Sequence, residues 1–323
     1  VHGGLPYEVP SMTVNKLCGS GLKTIALAAQ AIRAGEAEVV LAGGMENMSL
    51  APYILPGSRW GERLGHGQVE DMLLLDGLWD CFYDCHMGVT AENLAEEYSI
   101  SREQQDQFAA RSHEHWAKAQ KAGAFKEEIV PITIPQKGGE DVFAVDEHPR
   151  PGTTAEKLAQ LKPAFKKDGT VTAGNASGIN DGAAAVLLMS EAAAKARGLE
   201  PLAYVRAVAS VGVDPRIMGI GPAPAIRKLL HKSGFELKDV DLIEVNEAFA
   251  AQSIAVGKEL AWDQEKVNVQ GGAIAMGHAV GASGARVATT LLHQMQHKQA
   301  RLGIAALCIG GGMGIAALFE RAG

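Results

Sequence analysis

Two cysteines and a histidine in this chain stand where glycine and small residues interrupt the sequence, and thiols and imidazoles are the groups that carry nucleophilic and acid–base chemistry. Cys18 lies in Asn15-Lys16-Leu17-Cys18-Gly19-Ser20-Gly21. His278 lies in Gly277-His278-Ala279-Val280-Gly281-Ala282-Ser283-Gly284, and Cys308 in Leu307-Cys308-Ile309-Gly310-Gly311-Gly312-Met313. Glycine lets the backbone approach a ligand closely and turn sharply, which makes all three junctions candidate parts of one reaction centre.

The elements around these residues say how they would be positioned. Leu22 to Ile32 is Ala-rich with helical spacing, so Cys18 sits at a helix N-terminus, where unpaired amides and the dipole lower a thiol pKa. The bland alternative for a solitary cysteine is inert buried packing. Val240 to Val245 reads as a buried strand with a helix beginning directly after it at Asn246. Asn246 is then either an N-cap or a group that positions a water or donates to an oxyanion.

One helix–strand–glycine unit occurs twice. Gly19 to Lys23 opens a helix followed by the strand Val39 to Met45, and Ala282 to Arg286 opens a helix followed by Ala306 to Met313. Two related halves facing each other would bring both helix starts and both strand ends to a shared crevice, the usual place for sites in α/β sheets.

These four blocks, Asn15 to Gly21, Asn246 to Ala250, Gly271 to Arg286 and Leu307 to Gly314, resemble the signature segments of the thiolase family through essentially the whole chain. The resemblance is greatest to the biosynthetic acetyl-CoA acetyltransferases. It implies a reversible Claisen condensation in which two acetyl-CoA give acetoacetyl-CoA and free CoA, with CoA thioesters as substrates and no other cofactor. Cys18 would be the acyl-carrying nucleophile, His278 its proton acceptor and Cys308 the acid/base at the substrate methyl carbon. One oxyanion hole is assigned to His278 with a water held by Asn246, and the other to the backbone amides of Cys18 and Gly310. For CoA, the resemblance points to Arg150 near the adenine, Ser177 on the pantetheine, and Leu78, His86, Met87, Ala248 and Phe249, with Met87, Phe249 and Met218 narrowing the acyl pocket toward short groups. Ala279 stands where the family usually has proline after the histidine, which removes a fixed dihedral from the loop that aims the imidazole.

Length and composition agree with this. With 323 residues, 47% hydrophobic and 38 glycines, the chain can build an α/β fold of two halves plus an insertion. A net charge of −7 argues against nucleic acid or an anionic membrane as partner. Coenzyme A is polyanionic and needs a local basic stretch, which Arg150, Lys157, Lys162, Lys166 and Lys167 supply against Glu156 alone. Cys81, Cys85 and His86 lack a second ligand pair at zinc spacing, so no metal site is expected. Four cysteines without a dense framework indicate a reducing compartment, and cytoplasm is the default location.

The expected organisation is a thiolase-like layered α/β fold of two related βαβ-type halves with an inserted loop domain. Residues 1–49 and 177–200 form the N-terminal half, 50–176 the insertion and 201–323 the C-terminal half, with mixed, largely parallel sheets. In the insertion, Ser101 with Gln104 forms a capping box and Gly123 a stop, framing one long helix. Thiolases ordinarily carry about seventy residues before the position of Val1, so the chain reads as lacking its N-terminal elements. A homo-oligomer, dimer or tetramer, is the expected assembly. Rival readings are a degradative 3-ketoacyl-CoA thiolase of broader chain length, separable by chain-length dependence, and a non-catalytic CoA-binding relative. A β-ketoacyl synthase typically has a second histidine where this chain has Asn246.

Overall fold

A computed structural model describes residues 2–322. The Ala-rich run forms helix α1 (Ser20–Ala34), which Gly35 ends in the left-handed conformation at φ 75°. Strand β1 (Val39–Asn47) follows, then helices α2 (Met87–Glu97) and α3 (Arg102–Ala122) and strand β2 (Asp181–Met189). The rest of the chain gives β3 (Ala203–Gly212), α4 (Pro222–Ser233), β4 (Leu242–Val245), α5 (Ala250–Leu260), α6 (Ser283–His297), β5 (Leu302–Ile309) and β6 (Met313–Arg321). The capping box of α3 forms as its sequence requires: the Gln104 amide donates to Ser101 Oγ, the Ser101 amide to Gln104 Oε1, and Gly123 closes the helix at φ 73°.

Strands β4-β5-β6-β3 make a four-stranded sheet, and β1 pairs with β2 in a separate antiparallel ribbon running from Val39↔Met189 to Asn47↔Asp181. The sheet is mixed but not largely parallel. Among the described residues β4–β5 is the single parallel pair of strands in it, while β5–β6 and β6–β3 are antiparallel. The reason lies in the connections: the turn at Gly310–Gly312 can only reverse the chain, whereas α5 and α6 give the long crossover that parallel β4 and β5 need.

Alternation along the strands explains the layers. Ile304, Ala306, Ala316 and Leu318 point into a core shared with Ile226 and Leu229 of α4 and Ala251, Ala255 and Val256 of α5. Ala305, Leu307, Ile309, Ile315 and Ala317 point the other way, against Leu22 and Ile25 of α1 and Val287, Leu291 and Met295 of α6. The ribbon covers the far side of α1 and α6 through Val40, Ala42, Val186 and Leu188. Residues 48–180 add α2, α3, a short helix at Ala155–Leu158 and small two-stranded ribbons.

The duplicated helix starts meet. A Cβ on Gly21 would overlap the backbone nitrogen of Ala285, and one on Gly284 would overlap that of Leu22. This reciprocal contact lets α1 and α6 approach backbone to backbone, and it brings the junctions bearing Cys18 and His278 to the same end of the molecule.

Candidate active site

Cys18 occupies a single helical turn, Leu17–Gly19, immediately before α1. Leu17 is left-handed at φ 47°; its amide is held by Asn15 Oδ1 at 2.9 Å, and its carbonyl accepts from Ser20 Oγ at 2.7 Å. Cys308 is the penultimate residue of β5 and fully buried. A side chain on Gly19 would strike Ile309, so the glycine lets the Cys18 turn sit directly on the end of β5. The backbone amides of Gly310 and of Cys18 itself reach the Cys18 sulfur, and Cys308 feels the charge of Cys18. The structure therefore brings Cys18, Cys308 and Gly310 together.

The sequence-based expectation of a lowered Cys18 pKa is overturned. Its side chain is half-buried by surface, but its surroundings are dense enough that burial pushes the thiol up to about 11, with Glu46 adding to the rise. The two amides pull the other way without winning. Burial raises the Cys308 thiol as well, and proximity to Cys18 raises it further.

His278 follows Gly277, whose φ of 102° admits no ordinary side chain, and its amide donates to Asn180 Oδ1 at 2.9 Å. The tautomer can be read from the partners. Ser283 Oγ donates its only proton to the Ala279 carbonyl at 2.8 Å, so its 2.6 Å contact with His278 Nδ1 is an accepted hydrogen bond. Nδ1 therefore carries the proton, and the Nε2 lone pair faces Asn246 Nδ2 at 3.4 Å. Burial first, then the Arg286 guanidinium, hold the imidazole pKa down to about 4, so it is neutral at pH 7 and available as a base. The Ala279 carbonyl also accepts from the amides of Ala282 and Ser283, at 3.0 and 2.9 Å, so the loop is pinned where a proline ring is lacking.

Asn246 is not an N-cap. Helix α5 starts only at Ala250 behind Phe249, and residues 246–249 run on from β4, with the Asn246 amide donating to Ala306 O at 3.0 Å and Phe249 bridging to Ala176. The Asn246 side chain is fully buried, and its Oδ1 has no partner among the described residues. A carboxamide placed this way can hold a polar group of a ligand or a water.

Met87, Ala248, Phe249 and Met218 line one apolar cluster with Cys308, and Phe165 packs against it. Phe165 was missed in the sequence. It stacks on His86 with ring centroids 4.7 Å apart and meets Phe249 edge-on at 6.1 Å. Its only sequence signal is an isolated aromatic in the basic stretch. His86 caps α2 by accepting the Gly88 amide at Nδ1, 3.0 Å away, while Cys81 is exposed and Cys85 half-buried on a short ribbon. Ser177 is half-buried, with its amide donating to Ala248 O at 3.0 Å; Leu78 is half-buried. Arg150 is exposed and is not drawn into the thiol–imidazole cluster. Ser283 and Asn180, which fix His278, also escaped the sequence reading; Ser283 lay within the quoted motif but carried no sign of its role.

The family model described as "Thiolase, N-terminal domain" matches residues 1–192, and "Thiolase, C-terminal domain" matches residues 199–321. Over 322 residues the chain is 61% identical to a Pseudomonas aeruginosa protein named acetyl-CoA acetyltransferase, covering 99% of this chain and 82% of that protein. The Escherichia coli protein of the same name is 59% identical with the same coverage. Among solved structures, the acetyl-CoA acetyltransferase of Bacillus anthracis superimposes with a TM-score of 0.96 at 52% identity, covering 99% of this chain and 81% of that one. Human mitochondrial 3-ketoacyl-CoA thiolase superimposes with a TM-score of 0.97 at 48% identity and the same coverage.

Proposed function

The chain belongs to the thiolase family, and from that premise we propose that it transfers acetyl groups between coenzyme A thioesters, joining two acetyl-CoA into acetoacetyl-CoA and CoA and running the reverse thiolysis. The observation that carries the reading is two thiols close enough for one to feel the other's charge, Cys18 under the Gly310 amide and Cys308 in an apolar cluster, with a neutral imidazole and a buried carboxamide paired at the same end of the fold.

In the first half-reaction Cys18 attacks the thioester carbonyl while His278 Nε2 takes its proton; CoA leaves as a thiolate and recovers that proton. With the thiol near 11 and the imidazole near 4 the pair holds its proton on sulfur at rest, so proton transfer accompanies attack rather than preceding it. Amides of Cys18 and Gly310 would receive the oxyanion at the acyl-cysteine carbonyl. In the second half-reaction Cys308 gives its proton to His278 Nε2 and, as thiolate, removes a proton from the methyl carbon of a second acetyl-CoA. The developing enolate oxygen is met by the Nε2–H that His278 then carries and by a water held on Asn246. The carbon then attacks acetyl-Cys18, whose sulfur leaves as a thiolate and takes the proton held on His278, while Cys308 keeps the methyl proton, restoring both thiols.

Met87, Phe249, Met218 and Phe165 favour a short acyl group in this pocket. The similarity to a 3-ketoacyl-CoA thiolase supports a second reading, longer 3-ketoacyl-CoA as substrates, which chain-length dependence of thiolysis decides. Arg150 at the adenine, Ser177 on the pantetheine, Leu78 among the CoA contacts, a homo-oligomeric assembly and a cytoplasmic location complete the proposal on family resemblance. No helix among the described residues is long and apolar enough to cross a membrane. The test is CoA-dependent loss of acetoacetyl-CoA absorbance by purified protein beside Cys18→Ser; a folded, CoA-binding parent without turnover points to the non-catalytic relative.

A further inference from the structure

Glu247 follows Asn246 in the chain and is 2% exposed, so the fold has placed a carboxyl group in its interior directly beside the candidate site. That placement is costly unless donors surround it. Three do. Ser112 Oγ of α3 donates to Glu247 Oε2 at 2.6 Å, the Ile274 amide donates to the same oxygen at 3.2 Å, and Asn268 Nδ2 donates to Oε1 at 2.9 Å.

Each donor belongs to a different segment, and two of them are themselves fixed. Asn268 uses its side chain like an extra strand residue: Oδ1 accepts from the Val245 amide and Nδ2 donates to the Val245 carbonyl, both at 2.8 Å. Ser112 Oγ also accepts from the Gly272 amide at 3.0 Å. Gly272 is bare because a Cβ there would run into the Glu247 carboxyl group. Ile274 lies in the short helix Ala273–Met276, and His278 comes two residues after its end. The carboxyl group thus joins the end of β4, helix α3 and the segment that leads to the imidazole.

We propose that Glu247 is a positioning residue that sets the contact between Asn246 Nδ2 and His278 Nε2 by tying the end of β4 to the loop carrying His278. The proposal rests on the thiolase reading above. Asn246 has no side-chain partner among the described residues except His278, so its aim depends on how firmly its backbone is held. Its own amide fixes one side through Ala306, and Glu247 fixes the other. All three groups around the carboxyl act as donors, which suits a carboxylate and no other side chain of that size. Burial pushes the Glu247 carboxyl above its usual range, and the Ser112, Asn268 and Ile274 hydrogen bonds oppose that rise.

Glu247→Gln keeps the shape but turns an N–H toward either Asn268 or the Ser112 and Ile274 donors. The expected result is a kcat for acetoacetyl-CoA thiolysis lowered by about tenfold or more, with KM for CoA within about twofold of the parent. A merely structural role is separated by a double-mutant cycle with Asn246→Ala: a residue acting through Asn246 adds little once Asn246 is gone, whereas full additivity overturns the proposal. A second readout needs no turnover. Imidazole 15N shifts report the Nε2 environment of His278, and Glu247→Gln is expected to move them in a protein with parental secondary structure. Unchanged shifts overturn the proposal even if the parent has no thiolase activity, an outcome that would sink the functional reading separately. Should Glu247→Gln fail to fold, Ser112→Ala removes the shortest of the three donors and is expected to move the same shifts in the same direction; no movement overturns the proposal.

Discussion

Ser283→Ala strikes the tautomer on which the proposed chemistry depends. Ser283 Oγ donates to Ala279 O at 2.8 Å and accepts from His278 Nδ1 at 2.6 Å, so the hydroxyl decides which ring nitrogen carries the proton. With alanine there, the Nδ1–H is buried without an acceptor, at a cost of about 1–3 kcal/mol. The ring can escape that cost only by moving its proton to Nε2, which leaves no lone pair for the Cys18 proton and sets an N–H against the Asn246 amino group. Either route raises the barrier by a similar amount, which corresponds to a kcat lower by about 10- to 100-fold. Substrate contacts lie elsewhere, so KM for CoA is expected to hold. The assay is steady-state thiolysis of acetoacetyl-CoA, paired with imidazole 15N spectra that show which nitrogen is protonated. A Ser283→Ala enzyme with kcat within about threefold of the parent and the proton still on Nδ1 would refute the reasoning.

Three further outcomes are expected. Gly284→Ala forces a methyl into the Leu22 backbone where α1 and α6 touch, and should cost about 1–3 kcal/mol of stability, read as a lower urea midpoint at unchanged slope; a parental midpoint contradicts the close approach. Because burial raises the Cys18 thiol to about 11, its thiolate fraction at pH 8 is below that of a free cysteine, so alkylation by iodoacetamide should be slower than for glutathione at that pH and climb until about pH 11; a rate that levels off below pH 8 contradicts the raised value. Phe165→Ala opens the wall shared by His86 and Phe249, and the ratio of longer 3-ketoacyl-CoA to acetoacetyl-CoA thiolysis should rise; an unchanged ratio removes Phe165 from specificity.

What the sequence made legible was what local chemistry encodes. Helix α1, and the capping box and glycine stop of α3, follow from neighbouring residues, and each appears in the structure. The duplicated Ser-Gly helix starts foretold a meeting of two halves, and the reciprocal glycines Gly21 and Gly284 are that meeting. Strand direction was misjudged because it is set by the Gly310–Gly312 reversal and not by strand composition. Asn246 looked like a helix cap because Ala-rich sequence follows it, yet backbone bonds to neighbouring strands keep residues 246–249 extended. The Cys18 pKa was misjudged for a related reason: a helix start is visible in sequence, while the desolvation that outweighs it comes from residues far apart in the chain. Phe165, Asn180 and Ser283 act through contacts that no spacing rule reveals.

The central claim is that Cys18 carries the acyl group. Its most direct test is the mass of the Cys18-containing peptide after the protein is mixed with acetyl-CoA and quenched in acid. The account predicts the added mass of one acetyl group on that peptide, discharged by CoA and absent from Cys18→Ser. An unmodified Cys18 peptide from a protein that still turns over acetoacetyl-CoA, or an acetyl group found on Cys308 instead, would contradict it.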